Sequence, residues 1–154
     1  MTPLTEASPR INRWRITAAP PGWYFVPDFG LRHNASDPTS NIHLGADVLL
    51  AGNTLLPYIE AQKDMLARRY DTPVFAGPQP NRLLADRTDE AMLLLIRHQP
   101  GRGLSVLQVQ TYVRLAKWIG IATLTTTDGM LHQVRPDYEA FLTSLHIEPE
   151  HAGT

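Results

Sequence analysis

Apolar and polar positions alternate most cleanly between Ile42 and Leu50: Ile42, Leu44, Ala46, Val48 and Leu50 share one face, His43, Gly45 and Asp47 the other. A period of two marks a half-buried strand, because successive side chains leave opposite sides of the pleat. Upstream, Ile11–Ala18 reads as a strand with Trp14, Ile16 and Ala18 on one side and Arg13, Arg15 and Thr17 on the other. Pro20-Pro21-Gly22 stops it. Trp23–Phe29 is aromatic and strand-like but broken by Pro27, and His33–Ser40 is a loop of turn formers. Beyond Leu50 the period changes. Gly52-Asn53-Thr54 opens a helix, with Asn53 or Thr54 as cap and Pro57 in the first turn. Leu55, Ile59, Gln62, Leu66 and Arg69 recur at helical spacing, widened by Leu56, Met65 and Tyr70, until Asp71-Thr72-Pro73 ends the run.

Short strands are expected at Val74–Ala76 and Arg82–Arg87. In Glu90–Arg97 both alternating sets, Met92, Leu94, Ile96 and Ala91, Leu93, Leu95, are apolar, which predicts a strand covered on both sides. Pro100–Gly103 turns the chain into Ser105–Val113, with Leu107, Val109 and Val113 on one face and Val106, Gln108, Gln110 and Tyr112 on the other. Its partner is Trp118–Thr127, reached through an Arg114–Trp118 connection longer than a tight turn. Asp128-Gly129 makes a further turn, and Val134, Tyr138, Phe141, Leu142 and Leu145 set a closing helix with Pro136 near its start. Strands in runs, not alternating with helices, predict an α+β fold: an antiparallel sheet of about six to seven strands with two helices packed on one face.

A chain of 154 residues suits one domain, drawn as 10–148 between loose termini at 1–9 and 149–154. Hydrophobic residues make up 43%, enough for a core. With 14 Lys+Arg against 15 Asp+Glu and no clustered cations beyond Arg68–Arg69, read as a helix C-terminus, nothing favours nucleic acid. The absence of cysteine excludes disulfides, thiolate catalysis and Cys-based zinc sites. The first residues lack a signal-type apolar core, and the longest apolar run, Ala91–Ile96, is far short of the roughly 20 residues of a membrane span. A cytoplasmic protein without membrane insertion is therefore expected.

Enzymatic fingerprints for nucleophile elbows, phosphate loops, dinucleotide folds and zinc proteases do not occur. Gly101-Arg102-Gly103 lacks a third glycine and a following helix, which leaves a hairpin turn. The six histidines are scattered, with none beside a carboxylate at ligand spacing; His33 and His43 are near enough to meet across a hairpin, but surface positions are the simpler reading. Asp86 and Asp89 flank a turn. No catalytic residue, metal or cofactor is expected. Trp14, Trp23, Tyr24 and Phe25 form either core and rim packing or an aromatic ligand platform.

What remains is the face of Val106, Gln108 and Gln110. Neither strand from Ser105 to Thr127 shows a sheet surface rich in Lys, Glu or Arg. A broad uncharged surface marks an interaction site, and glutamine supplies donors and an acceptor without the desolvation cost of an ion. Alternatives are permanent cover by a second copy of the chain, as in a homodimeric scaffold, or a carrier cavity for a small apolar ligand.

The order of elements also resembles a known family. It runs through P-P-G-W (Pro20–Trp23), an L-x-x-Y-I-x-x-Q helix (Leu55–Gln62), a meander with Gln110 and Leu124–Thr127, and a Y-x-x-F-L-x-S-L-x-I helix (Tyr138–Ile147). This resembles the DcrB-related family, with the α/β sandwich seen in PsbP and Mog proteins, over roughly Arg10 to Glu148. Members of that family similar to this chain in lacking a signal are Eag-type chaperones of bacterial type VI secretion. The resemblance implies a non-enzymatic, dimeric, cytoplasmic adaptor that binds the N-terminal apolar helices of a secreted effector. It implies partner-binding roles for Val106, Gln108, Gln110 and Ile121, with Tyr24 and Val26 from the strand after P-P-G-W.

Overall fold

The computed structural model describes residues 2–3, 8–34, 37, 39–50, 53–101 and 104–149. Four two-residue strands come first: β1 (Thr2–Pro3), β2 (Arg10–Ile11), β3 (Trp14–Arg15) and β4 (Ala18–Ala19). They are followed by β5 (Trp23–Val26), β6 (Gly30–His33) and β7 (Asn41–Val48). Helix α1 (Leu55–Arg69) precedes the meander β8 (Val74–Pro80), β9 (Glu90–Gly101), β10 (Leu104–Leu115) and β11 (Trp118–Thr127). Helix α2 (Asp128–Ser144) and β12 (His146–Ile147) close the chain. The main sheet has seven antiparallel strands in the order β5-β6-β7-β11-β10-β9-β8. The fold is thus α+β with an antiparallel sheet and two helices, as the pattern of elements predicts.

The helices do not share a face. Helix α2 packs on β10 and β11, where Val109, Val113, Ala122 and Leu124 join Val134, Tyr138, Phe141 and Leu142 in one core. Helix α1 lies on the opposite side over β8, β9 and β10, where Leu55, Ile59 and Leu66 meet Leu94, Ile96, Tyr112 and Ile119. The reason is already present in β9. Both of its faces are apolar, with Leu94 and Ile96 turned to the α1 core and Leu93 and Leu95 packed against the α2 core. One helix on each side hides both rows; two on one side would leave a whole row wet.

Several local expectations change. Ile11–Ala18 is not one strand: the chain reverses at Asn12-Arg13 between β2 and β3, with Asn12 at φ 57°. Asn tolerates this left-handed conformation, and its side-chain oxygen accepts from the Trp118 indole at 2.6 Å. Residues 82–87 form no strand. Leu84 is fully buried, and Arg87 donates to the carbonyls of Leu145 (2.7 Å) and Leu142 (3.3 Å), so this segment clamps the end of α2. Asp128-Gly129 is the first turn of α2, not a separate turn, and Pro136 sits inside the helix instead of near its start. Pro136 leaves the His132 carbonyl without its helical donor, at a point where His132 and Gln133 are exposed. The β10–β11 link is a two-residue turn, with Ala116 at φ 52°. Asp89 accepts from its N–H at 2.8 Å and Arg114 donates to its carbonyl at 3.0 Å, which offsets the strain of a non-glycine residue there. The expected Pro100–Gly103 turn and the expected loose termini fall largely outside the described residues.

Two tertiary contacts set the frame. Thr54, at the cap position of α1, makes no side-chain cap bond; instead Glu90 on β9 accepts from the Leu55 N–H at 3.1 Å while pairing with Arg114. On the α2 side, the rings of Trp14 and Trp118 meet edge to face at 5.4 Å. Gly120 leaves the room: a Cβ there would lie 2.4 Å from one ring and 2.5 Å from the other. At the sheet margins, β5 is only four residues long, between Pro21 and Pro27, and β8 contains Pro78 and Pro80.

Candidate functional site

Strand register fixes which side chains share the α1 face. Tyr24 pairs with Arg32, Val26 with Gly30, and Gly30 in turn with His43. Farther in, Gly45 pairs with Ile121, His43 with Thr123 and Asn41 with Thr125. These oppose Tyr112, Gln110 and Gln108, while Val106 faces Thr127 and His98. Directly paired residues point to the same side of a sheet. All six expected contact residues (Val106, Gln108, Gln110, Ile121, Tyr24 and Val26) therefore lie on one face, that of α1, and not opposite both helices.

Helix α1 divides that face. Under it, Leu94, Ile96, Tyr112 and Ile119 are buried. Along its end runs a ladder of neutral hydrogen bonds. Tyr112 Oη donates to Gln110 Oε1, Gln110 Nε2 to Gln108 Oε1 (3.1 Å), and Gln108 Nε2 to Tyr70 Oη (3.3 Å). The Tyr70 ring stacks on His98 at 3.9 Å and 6°. Burial pushes the Tyr112 phenol up and the His98 imidazole down, so both stay neutral near pH 7 and the ladder carries no charge. Gln110 is only 8% exposed and belongs to this internal ladder; Gln108 is half-buried at its margin.

Beyond the helix, β11, β7, β6 and β5 present a strip that α1 meets only along its near side, through Ile119, Ile121 and the bond from Tyr58 to Asp47. Ile121, Thr123 and Thr125 are half-buried there, Tyr24 is 53% exposed, and Val26 is half-buried. Charge appears only toward β6 and β7. Arg32 lies over the Phe29 ring, and Asp47 accepts from Tyr58 Oη at 2.7 Å. Burial, then the Asp47 carboxylate, push the Tyr58 phenol up and keep it a donor to that partner. Four strands about 4.8 Å apart span about 14 Å from β11 to β5, wide enough for one helix of about 10–12 Å diameter. The sequence points to Ile121 on this face but not to Thr123 or Thr125. Pairing β11 with both β7 and β10 is what places these two beside Ile121.

Histidines 33 and 43 do not meet, since His33 turns to the α2 side beneath Trp23 and His43 to the α1 side. His33 does have a carboxylate partner: Asp37, four residues on, at 2.9 Å, with both side chains buried. Among the described residues no group of three or more His, Cys, Asp or Glu side chains is placed to hold a metal ion. No helix among them is long and apolar enough to cross a membrane.

No family model and no curated protein matches the chain. Solved structures do. The protein of unknown function PA94 from Pseudomonas aeruginosa superposes with a TM-score of 0.58 at 16% identity, covering 83% of this chain and 97% of its own. The cyanobacterial PsbP of Synechocystis sp. PCC 6803 gives 0.55 at 11% identity over 92% and 90%. Protein Mog1, solved as a point mutant, gives 0.56 at 10% identity over 88% and 90%. The fold is that of PsbP and Mog1. At these identities the likeness speaks for fold alone.

Proposed function

We propose that the chain is a non-enzymatic chaperone or adaptor that shelters an apolar, transmembrane-like helix of a secreted protein on the α1-side strip. The observation that carries the reading is the division of this face. Helix α1 lies over β8–β10, while the strip of Ile121, Thr123, Thr125, Tyr24 and Val26 beside it is charged only at Arg32 and Asp47 and matches one helix in width. Threonines 123 and 125 on such a floor let a helix approach without desolvating an ion there, and α1 stands as a wall along one side. The resemblance to Eag-type chaperones of type VI secretion supports an effector as the client, and the dimeric habit of those chaperones extends to this chain under the same proposal.

The test is co-expression with a soluble carrier that bears a single N-terminal apolar helix. The wild-type chain keeps the carrier in solution and co-purifies with it. Thr123→Lys with Thr125→Lys abolishes co-purification with a melting temperature within a few degrees of wild type, while His132→Lys on the far side changes nothing. Retention of the carrier by the folded double variant overturns the assignment. Sedimentation of the chain alone then distinguishes an open strip from one covered by a second copy.

A further inference from the structure

On the α2 side, away from the strip, a cavity of about 170 Å³ opens between α2, β9, β10 and residues 81–83. Leu83, Leu93, Val109 and Leu142 form its apolar walls, and Asn81, Thr111 and Tyr138 its polar lining. The hydrogens of that lining can be assigned one by one. Tyr138 Oη donates to the Ala122 carbonyl at 2.8 Å, so Thr111 Oγ1 donates to Tyr138 Oη at 2.7 Å. Asn81 Nδ2 then donates to Thr111 Oγ1 at 3.3 Å, and the amide orientation is fixed because Asn81 Oδ1 accepts from the Leu83 N–H at 2.9 Å. An amide nitrogen has two hydrogens. The second N–H of Asn81, a residue only 6% exposed, has no acceptor in these contacts. At the mouth, Arg135 is shared with Glu139 at 3.3 Å, whereas Arg82 is exposed and makes no ion pair with a described residue. The cavity thus has one unspent buried donor and one unbalanced cation, supplied by adjacent residues.

We propose that this cavity binds a small carboxylate with a compact apolar body, the size of a single-ring aromatic acid. An apolar cavity of about 150 Å³ accepts benzene, so the volume suits one ring. The carboxylate meets the Asn81 N–H and the Arg82 guanidinium, and the ring rests on Leu93, Val109 and Leu142. A phosphate fits this chemistry less well, because one free guanidinium faces mostly aliphatic walls.

The probe is benzoate, titrated into the full chain and followed by two-dimensional amide NMR, with benzamide and inorganic phosphate as comparisons. Benzoate shifts signals of residues 81–83, 109–111 and 135–142; benzamide binds at least fivefold more weakly, and phosphate does not saturate. Arg82→Gln weakens benzoate about tenfold and leaves benzamide unchanged. Leu83→Trp plugs the mouth and removes binding of both. No benzoate-dependent shifts in this region, equal affinity for benzoate and benzamide, or undiminished benzoate binding by Arg82→Gln each overturns the proposal. Arg82 is a surface residue, so its variant decides the question even if Leu83→Trp folds poorly.

Discussion

Substitution of Gly120 by alanine adds one methyl group at the most crowded point of the α2-side core. The new Cβ would lie 2.4 Å from Trp118 and 2.5 Å from Trp14, where carbon pairs rest at about 3.5–4.0 Å. Each ring would have to retreat by about 1 Å to restore that separation. Neither is free to do so: Trp14 donates to the Gly45 carbonyl at 2.9 Å and Trp118 to Asn12 at 2.6 Å. Overpacking a core costs about 1–3 kcal/mol, and giving up one indole hydrogen bond adds about 1 kcal/mol. The expected loss is about 2–4 kcal/mol, or a melting temperature lower by about 5–15 °C in a chain of this size. Urea denaturation followed by circular dichroism measures it, with the wild-type slope confirming an unchanged unfolding transition. Gly129→Ala is the matched control. Nothing lies within 4 Å of its new Cβ, and in the first turn of α2 alanine favours the helix by about 0.5–1 kcal/mol. A Gly120→Ala protein within about 0.5 kcal/mol of wild type would refute the account of a rigid, anchored tryptophan pair.

Other outcomes follow from single contacts. Glu90→Ala removes the α1 cap and the partner of Arg114 and lowers stability by about 1–2 kcal/mol, whereas Glu90→Gln, which keeps an acceptor, loses less; thermal melts rank the three proteins. Tyr138→Phe breaks the buried relay from Thr111 to the Ala122 carbonyl and costs about 1–3 kcal/mol in chemical denaturation. Burial alone would raise the Asp37 carboxyl, but hydrogen bonds from Ser40 and His33 and the His33 charge outweigh it and hold the group below its ordinary value. Its folded pKa is therefore below the unfolded one, so its contribution is complete above pH about 4 and fades as pH falls through the folded value. Asp37→Asn is less stable than wild type by about 2 kcal/mol at pH 7, and urea titrations at pH 7 and pH 3 show that gap shrinking in acid.

The long elements were readable because their periods are unambiguous: β7, α1, β9, β10 and β11 each repeat an apolar position often enough to declare a face. The two-sided apolarity of Ala91–Ile96 already implied cover on both sides, yet the count of helices suggested a single layer. Shared contacts with both cores decide that question, and they depend on register, which one strand's pattern does not carry. The short N-terminal strands were hidden because a two-residue strand has no period; Asn12 at positive φ is the turn signal inside Ile11–Ala18. The pattern predicts a late start for α2 because Pro136 resembles a first-turn proline, whereas the helix begins at Asp128, a first-turn carboxylate that pairs with Arg97. The contact residues landed together because all obey one parity across the sheet. Gln110 obeys that parity too, but its place in the ladder depends on Tyr70 at the end of α1, a tertiary contact that no strand pattern carries.

The margins of the sheet limit how this molecule can meet others. Backbone pairing at an open edge accepts almost any extended chain, since every peptide group offers the same donor and acceptor. Prolines 78 and 80 remove two of those donors from β8, and β5 is too short to template a long strand. Recognition is thereby shifted from main chain to side chain. Under the proposed function a client must match a surface of particular threonines, aromatics and aliphatics, and extended polypeptide from the surroundings finds little backbone to join.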